Sequence, residues 1–62
     1  MDEDTARRIA REHGYTLKVV RHKRRDWLVL RGEDETLILY LTCKLEDLPE
    51  NTLRSLFPKP HQ

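Results

Sequence analysis

A length of 62 residues with a single cysteine is the feature that most limits how this chain can fold. A domain of this size buries only about 60% of its unfolded surface, so small domains commonly rely on disulfides or a bound metal. Cys43 has no second cysteine with which to form a disulfide or a zinc motif. The chain is therefore expected to fold as one domain on apolar packing alone, or with a partner chain, and without a metal or other cofactor.

Three features of the sequence predict a cytoplasmic protein with no membrane partner. The unpaired Cys43 fits a reducing, intracellular compartment. The longest apolar stretches fall well short of the roughly 20 residues that a membrane-spanning helix needs. Residues 1–4 are acidic, whereas a signal peptide begins with a positively charged region.

Hydrophobic periodicity and turn residues predict an α+β fold with the order α-β-β-β-α, in which two helices pack on one face of a three-stranded antiparallel sheet. The predicted elements are a helix over 4–13, strands over 15–22, 27–31 and 36–42, and a second helix over 49–57. Residues 1–57 are then the single domain. Residues 58–62 contain two prolines and are predicted to be an extended tail.

Residue types at the helix ends predict how the helices begin and end. Asp4 or Thr5 is the expected N-cap of the first helix. Gly14 suits the left-handed conformation that often follows a helix, because it has no Cβ. In the second helix, Glu50 and Arg54 have the spacing of an i,i+4 ion pair.

Charge is balanced in total, with a net charge of +1, but it is unevenly distributed. Residues 18–31 sum to +5, and residues 33–50 sum to −5. The dense basic run over 21–25 indicates an anion-binding surface that suits a phosphate backbone. The alternative is a charged turn that only keeps a hairpin tip in solvent. The candidate nucleic-acid-binding residues are Lys18, Arg21, His22, Lys23, Arg24, Arg25 and Arg31.

Both faces of the predicted sheet carry large apolar side chains, although two short helices can cover only one face. An exposed apolar surface of this kind usually marks an interaction site. The expected occupant is a second copy of the chain or another protein. Scattered apolar side chains that simply remain exposed are the alternative. The candidate interface residues are Leu28, Leu30, Ile38 and Tyr40, or those of the opposite face.

Two short motifs resemble the HicA-type toxins of toxin–antitoxin modules. Gly14-Tyr15-Thr16-Leu17 leads from the first helix into the first strand. Residues 46–57, Glu-Asp-Leu-Pro-Glu-Asn-Thr-Leu-Arg-Ser-Leu-Phe, are similar to the family's Lys-Asp-Leu-Pro-x-Gly-Thr-Leu-Arg-Ser-Ile-Leu at the start of helix two. The element lengths also agree over residues 4–57. The resemblance implies the double-stranded-RNA-binding fold, mRNA interferase activity and an antitoxin partner.

The chain departs from the HicA-type pattern at the positions that carry activity. Aligned on Gly14, Arg24 takes the place of the family's catalytic histidine in the turn between strands one and two. An arginine stays protonated and cannot act as a general base. Double-stranded-RNA-binding domains place lysines at the start of helix two, where this chain has Glu46, Asp47 and Glu50, which repel phosphate.

The sequence thus predicts a small non-catalytic module that binds RNA or DNA through its basic β-turn, or that docks an antitoxin-like protein. One alternative is a protein-interaction or homodimerisation module, in which the +5 segment of one chain meets the −5 segment of another. A second alternative is a ribonuclease that uses His22 as its acid or base. Trp27 follows the basic run and is interpreted as a core residue, with stacking on a base as the other possibility.

Overall fold

A computed structural model describes residues 1–58 and confirms the order α-β-β-β-α. The three strands form one antiparallel sheet in the order β1-β2-β3, and both helices lie on one of its faces. None of the helices in this part of the chain is long and apolar enough to cross a membrane. Apart from Pro58, the predicted tail lies outside the described residues. The elements are α1 (Glu3–Glu12), β1 (Thr16–His22), β2 (Arg25–Arg31), β3 (Thr36–Tyr40), a 3₁₀ turn (Leu45–Asp47) and α2 (Glu50–Leu56).

The first helix begins one residue earlier than predicted, because its N-cap is Asp2 and not Asp4 or Thr5. Asp2 Oδ1 accepts the backbone N–H of Thr5 at 2.8 Å, and this hydrogen bond lowers the pKa of the Asp2 carboxyl group. Glu3 and Asp4 then lie in the first turn, where the helix dipole favours negative charge.

The same helix ends at Glu12, one residue before its predicted end, and Gly14 follows with a φ of +83°, the left-handed conformation that was predicted for it. The Tyr15 backbone N–H turns back to the Ala10 carbonyl at 2.9 Å, which satisfies one of the last free carbonyls of α1. His13 stacks on Phe57 with ring centroids 4.3 Å apart, and this contact joins the end of α1 to the end of α2.

The second helix is held by α1 and not by the predicted ion pair within α2. Arg54 Nη1 donates to Glu12 Oε2 at 2.7 Å, and this hydrogen bond and the Arg54 charge lower the pKa of Glu12. Leu53 is fully buried and Phe57 nearly so. The prediction of a Glu50–Arg54 pair was wrong, because packing of α2 on α1 brings a carboxylate from the other helix closer to Arg54.

The core lies between the sheet and the two helices, and it includes two residues that were expected at an interface. Leu28 and Leu30 are both 0% exposed. In the register of the sheet they lie opposite Leu39 and Leu37, so these four side chains face the helices. The prediction that Leu28 and Leu30 meet a partner was therefore wrong. The buried core residues are Ala6, Ile9, Ala10, Leu17, Leu28, Leu30, Leu41, Leu45, Leu48, Leu53 and Phe57.

The β2–β3 loop depends on a close contact at Gly32, which provides a test of the packing. A Cβ at Gly32 would lie 2.8 Å from Cε1 of Tyr15. The Tyr15 ring is held there by its hydroxyl, which donates to Glu35 Oε1 at 2.5 Å, and by Phe57, 5.6 Å away between centroids. The bond to Glu35 raises the pKa of Tyr15. Its stabilising effect is present below the ordinary pKa of tyrosine and is lost as the pH rises through the folded value.

Gly32→Ala should therefore displace the Tyr15 ring and lower the free energy of unfolding of the domain by about 1 kcal/mol. We expect the pKa of Tyr15, measured by NMR titration, to fall back towards its ordinary value. Gly14→Ala is the control, because nothing lies within 4 Å of its Cβ and only the backbone is strained. It should destabilise the domain and leave the pKa of Tyr15 unchanged. An unchanged pKa in Gly32→Ala would contradict the packing.

Candidate functional site

The face of the sheet that the helices leave uncovered, hereafter the open face, has an apolar and aromatic centre. Ile38 is 64% exposed and Tyr40 is 47% exposed. Tyr40 lies opposite Trp27 in the register of the sheet, and Ile38 lies opposite Val29. The residues that alternate onto this face are Thr16, Lys18, Val20, His22, Arg25, Trp27, Val29, Arg31, Thr36, Ile38 and Tyr40.

Basic side chains lie at both ends of this apolar centre and on its β1 side. Lys18 lies opposite Val29, and His22 lies opposite Arg25 at the end next to the β1–β2 turn. Arg31 lies at the other end of β2, the strand that begins with Arg25. The strands place no aspartate or glutamate on the open face. The positive charge of this face is therefore not compensated by carboxylates within it.

The β1–β2 turn consists of two residues, Lys23 and Arg24, and not of the four that were predicted, because Arg25 and Asp26 belong to β2. Lys23 has a φ of 53° and Arg24 a φ of 64°. Two successive residues with positive φ form the type I′ turn that matches the twist of a hairpin. Asn and Gly adopt this conformation readily, whereas other residues are strained in it. The chain thus holds two cations at the hairpin tip in an unfavourable backbone conformation.

Arg21 does not lie with the other predicted binding residues. It pairs with Asp26 in the register, and both side chains lie on the helix side of the sheet. A hollow there is lined by Arg21 and Lys44 together with four acidic residues, Asp2, Glu3, Asp26 and Glu46. Since Arg21 lies on the other side of the sheet beside these carboxylates, its charge contributes little to the field of the open face.

An aromatic pair with an arginine beside it lies near the turn. The Trp27 and Tyr40 rings meet edge to face, with centroids 4.9 Å apart and planes inclined by 68°. The Arg25 guanidinium carbon lies 5.3 Å from the centroid of Tyr40, in cation–π geometry. Trp27 had been expected in the core, but it is half-buried on the open face. Within residues 1–58 its buried Nε1 has no hydrogen-bond partner.

Two depressions adjoin the open face. The first lies beside the turn and has a volume of about 140 Å³. It is lined by three cations, Arg24, Arg25 and Lys44, together with Asp26, Leu41, Thr42 and Cys43. The second lies between β1 and β2 and has a volume of about 390 Å³. It is lined by Thr16, Leu17, Lys18, Val20, Val29 and Arg31. Each depression therefore combines cations with space for a small group.

His22 is exposed at the end of β1, and its cross-strand neighbour is Arg25. A general base needs the reacting group within hydrogen-bond reach and commonly a second group that orients it. The pairing supplies a guanidinium and neither a carboxylate nor a second imidazole. In the described part of the chain, no three His, Cys, Asp or Glu side chains are grouped to hold a metal ion.

Sequence reasoning missed three contributors to this surface. Val20 and Val29 were not named among the candidate interface residues, and Lys44 was counted only as part of the acidic segment. One signal was present in the length of the β2–β3 loop. A four-residue loop between Arg31 and Thr36 pairs odd-numbered residues of β2 with even-numbered residues of β3, and paired residues share a face of the sheet. That parity groups Trp27 and Val29 with Tyr40 and Ile38. No pattern in the sequence brings Lys44 to the turn.

These observations define an α-β-β-β-α domain with one helix-covered sheet face and one exposed, cationic and aromatic face. No family model, curated protein or solved structure matches the chain. The resemblance to HicA-type toxins therefore stays a prediction.

Proposed function

We propose that the domain binds nucleic acid through the open face and the adjoining β1–β2 turn. The observation that carries this proposal is the presence of five lysine and arginine side chains on a surface whose strands place no carboxylate there. A phosphate backbone is the complementary partner, since neutralising it releases condensed counterions. The overall charge of +1 does not oppose this, because none of the acidic side chains is placed on the open face by the strands. The five side chains are Lys18, Lys23, Arg24, Arg25 and Arg31.

The same charge pattern disfavours a second copy of the chain as the occupant. A two-fold dimer places the same patch of both copies in contact. Two open faces would then bring cations against cations with no carboxylate between them, which is unfavourable. An acidic protein avoids that repulsion, and an antitoxin-like partner of this kind is the protein alternative. Unlike nucleic acid, such an acidic protein contains no bases and no phosphates.

Neighbouring arginines on opposite faces of the sheet provide a matched test. Arg25→Gln should weaken binding of a single strand of about 12 nucleotides several-fold and make the salt dependence shallower by about 0.7 in log–log slope, the value for one lost phosphate contact. Arg21→Gln removes the same charge from the helix side and should leave both quantities nearly unchanged. Fluorescence anisotropy of labelled RNA and DNA at about 50 to about 200 mM salt measures both effects.

Each other outcome of this titration has a defined meaning. No binding at low salt would overturn the proposal, and so would equal losses in the two variants. Binding of polyglutamate as tight as that of the oligonucleotide would indicate an acidic protein as the partner. Cleavage of the RNA probe that is abolished by His22→Ala would establish the ribonuclease alternative instead.

A further inference from the structure

We propose that the open face binds single-stranded nucleic acid, with one base stacked on Tyr40 and another in the depression between Lys18 and Arg31. This inference rests on the proposed function and names the form of nucleic acid that the site accepts. It follows from the apolar part of the open face, which binding to phosphates alone leaves unexplained.

The exposed aromatic surface is suited to unpaired bases. Tyr40 and Ile38 remain exposed on the edge strand β3, beside the cations of β1 and β2, and phosphates have no apolar group to offer them. In a duplex the bases are stacked inside, and the protein meets mainly phosphates and groove edges. Unpaired bases stack on aromatic side chains and on arginine planes, while the backbone follows nearby cations. The open face supplies both groups within the same three strands.

The contacts around Tyr40 hold its ring in a fixed position for stacking. Trp27 packs against the ring in an edge-to-face arrangement at 4.9 Å between centroids, and Arg25 lies 5.3 Å from its centroid. The arginine position shows that a flat cationic group already lies near this ring. A base that enters here can stack on the tyrosine ring, on the guanidinium plane, or between the two.

The two depressions lie at opposite ends of β2, one lined by Arg25 and the other by Arg31, and they mark the path that we propose along the open face. Arg24, Arg25 and Lys44 line the one beside the turn together with Asp26, so cations outnumber carboxylates there and a phosphate is favoured. The second depression lies between β1 and β2 with Lys18 and Arg31 in its lining. Residues two positions apart on a strand are about 7 Å apart, so seven-residue strands offer about 20 Å, enough for a few nucleotides.

The acidic loop between β2 and β3 limits the path at the far end. Glu33, Asp34 and Glu35 follow directly after Arg31 and Gly32. Their charge repels phosphates beyond the last row of the open face. The bound strand should therefore end near Arg31 and not extend past the open face onto this loop.

The decisive experiment compares three probes that share a phosphate backbone and differ in their bases. They are oligothymidylate of about 12 nucleotides, an abasic strand of the same length, and a duplex of that length. We expect wild-type protein to bind oligothymidylate about tenfold or more tightly than the abasic strand. It should also bind oligothymidylate more tightly than the duplex, although the duplex carries more charge. The fluorescence of Trp27, the only tryptophan, should be quenched by oligothymidylate and not by the abasic strand.

Variants at position 40 separate stacking from charge. Tyr40→Leu should remove most of the preference for oligothymidylate over the abasic strand, whereas Tyr40→Phe should keep it, because the aromatic ring remains. Lys23→Gln, which removes a cation from the turn, should weaken binding of both strands by a similar factor. Circular dichroism checks that each variant is folded, and the wild-type comparison of the two strands needs no variant.

The outcomes also distinguish failure of this inference from failure of the proposed function. Equal affinity of the wild type for oligothymidylate and the abasic strand would overturn stacking and leave nucleic-acid binding in place. A preference for the duplex would overturn the single-strand proposal in the same way. If none of the three probes binds, the proposed function fails together with this inference.

Discussion

Replacing Lys23 and Arg24 by Asn and Gly is expected to make the domain more stable and, at the same time, a weaker binder of nucleic acid. The two residues form a type I′ turn with φ values of 53° and 64°. A residue other than Gly, Asn or Asp is disfavoured in this region by roughly 1–2 kcal/mol. Asn-Gly is the favoured pair for this turn. The double variant should therefore raise the free energy of unfolding by about 1–2 kcal/mol.

The thermal midpoint of this variant should rise by about 5–10 °C, because one kcal/mol corresponds to roughly 4–8 °C in a domain of this size. Binding should weaken by an order of magnitude or so, and the log–log salt slope should become shallower by about 1.4 if both cations contact a single strand. Differential scanning fluorimetry and the anisotropy titration measure the two quantities on the same preparation.

A variant that removes the charges without relieving the backbone is the matched control. Lys23→Gln with Arg24→Gln keeps two side chains with a Cβ in the left-handed region. It should bind as weakly as the Asn-Gly variant and be no more stable than the wild type. If the Asn-Gly variant gained stability and retained full affinity, Lys23 and Arg24 would have no part in binding. Nucleic-acid binding would then not explain why two residues disfavoured in this turn are present there.

The order of elements was predictable from the sequence because it depends on local signals. Gly14 ends α1 through a conformation that favours glycine, and Pro58 follows α2 closely. The N-cap was misassigned by two to three residues, because Asp2 and Asp4 are chemically alike and only the backbone decides which of them accepts the Thr5 N–H. Helix ends are generally uncertain by one or two residues.

The composition of the candidate site depended on contacts that a linear pattern does not contain. Arg21 and Arg25 look equivalent in a basic run, yet strand alternation places them on opposite faces. The turn Lys23-Arg24 lacks the Asn or Gly that signals a type I′ hairpin, so its two-residue length was not apparent. Arg54 meets Glu12, 42 positions away, and not Glu50 four positions away. Each of these outcomes is decided by how the elements pack.

Leu30→Ala and Ile38→Ala should have very different effects, although both residues were candidates for the same interface. Leu30 is 0% exposed within the core between sheet and helices, so its truncation removes buried methyl groups and leaves a cavity. Such changes usually destabilise by 2–5 kcal/mol. A core of this size rarely supplies more than about 3–5 kcal/mol in total. We therefore expect Leu30→Ala to be largely unfolded at 25 °C in circular dichroism and NMR spectra.

Ile38→Ala is the matched control, because it also truncates an aliphatic side chain in the middle of a strand. Ile38 is 64% exposed on the open face, so little of it leaves water on folding. The loss of β-propensity should lower the free energy of unfolding by about 1 kcal/mol or less, and the variant should stay folded. Binding of oligothymidylate by the folded Ile38→Ala protein should be weakened, since Ile38 adjoins Tyr40 in the apolar centre of the open face. A folded Leu30→Ala together with an unfolded Ile38→Ala would reverse the two faces of the sheet, and the binding surface would then have to be sought on the side of Leu28 and Leu30.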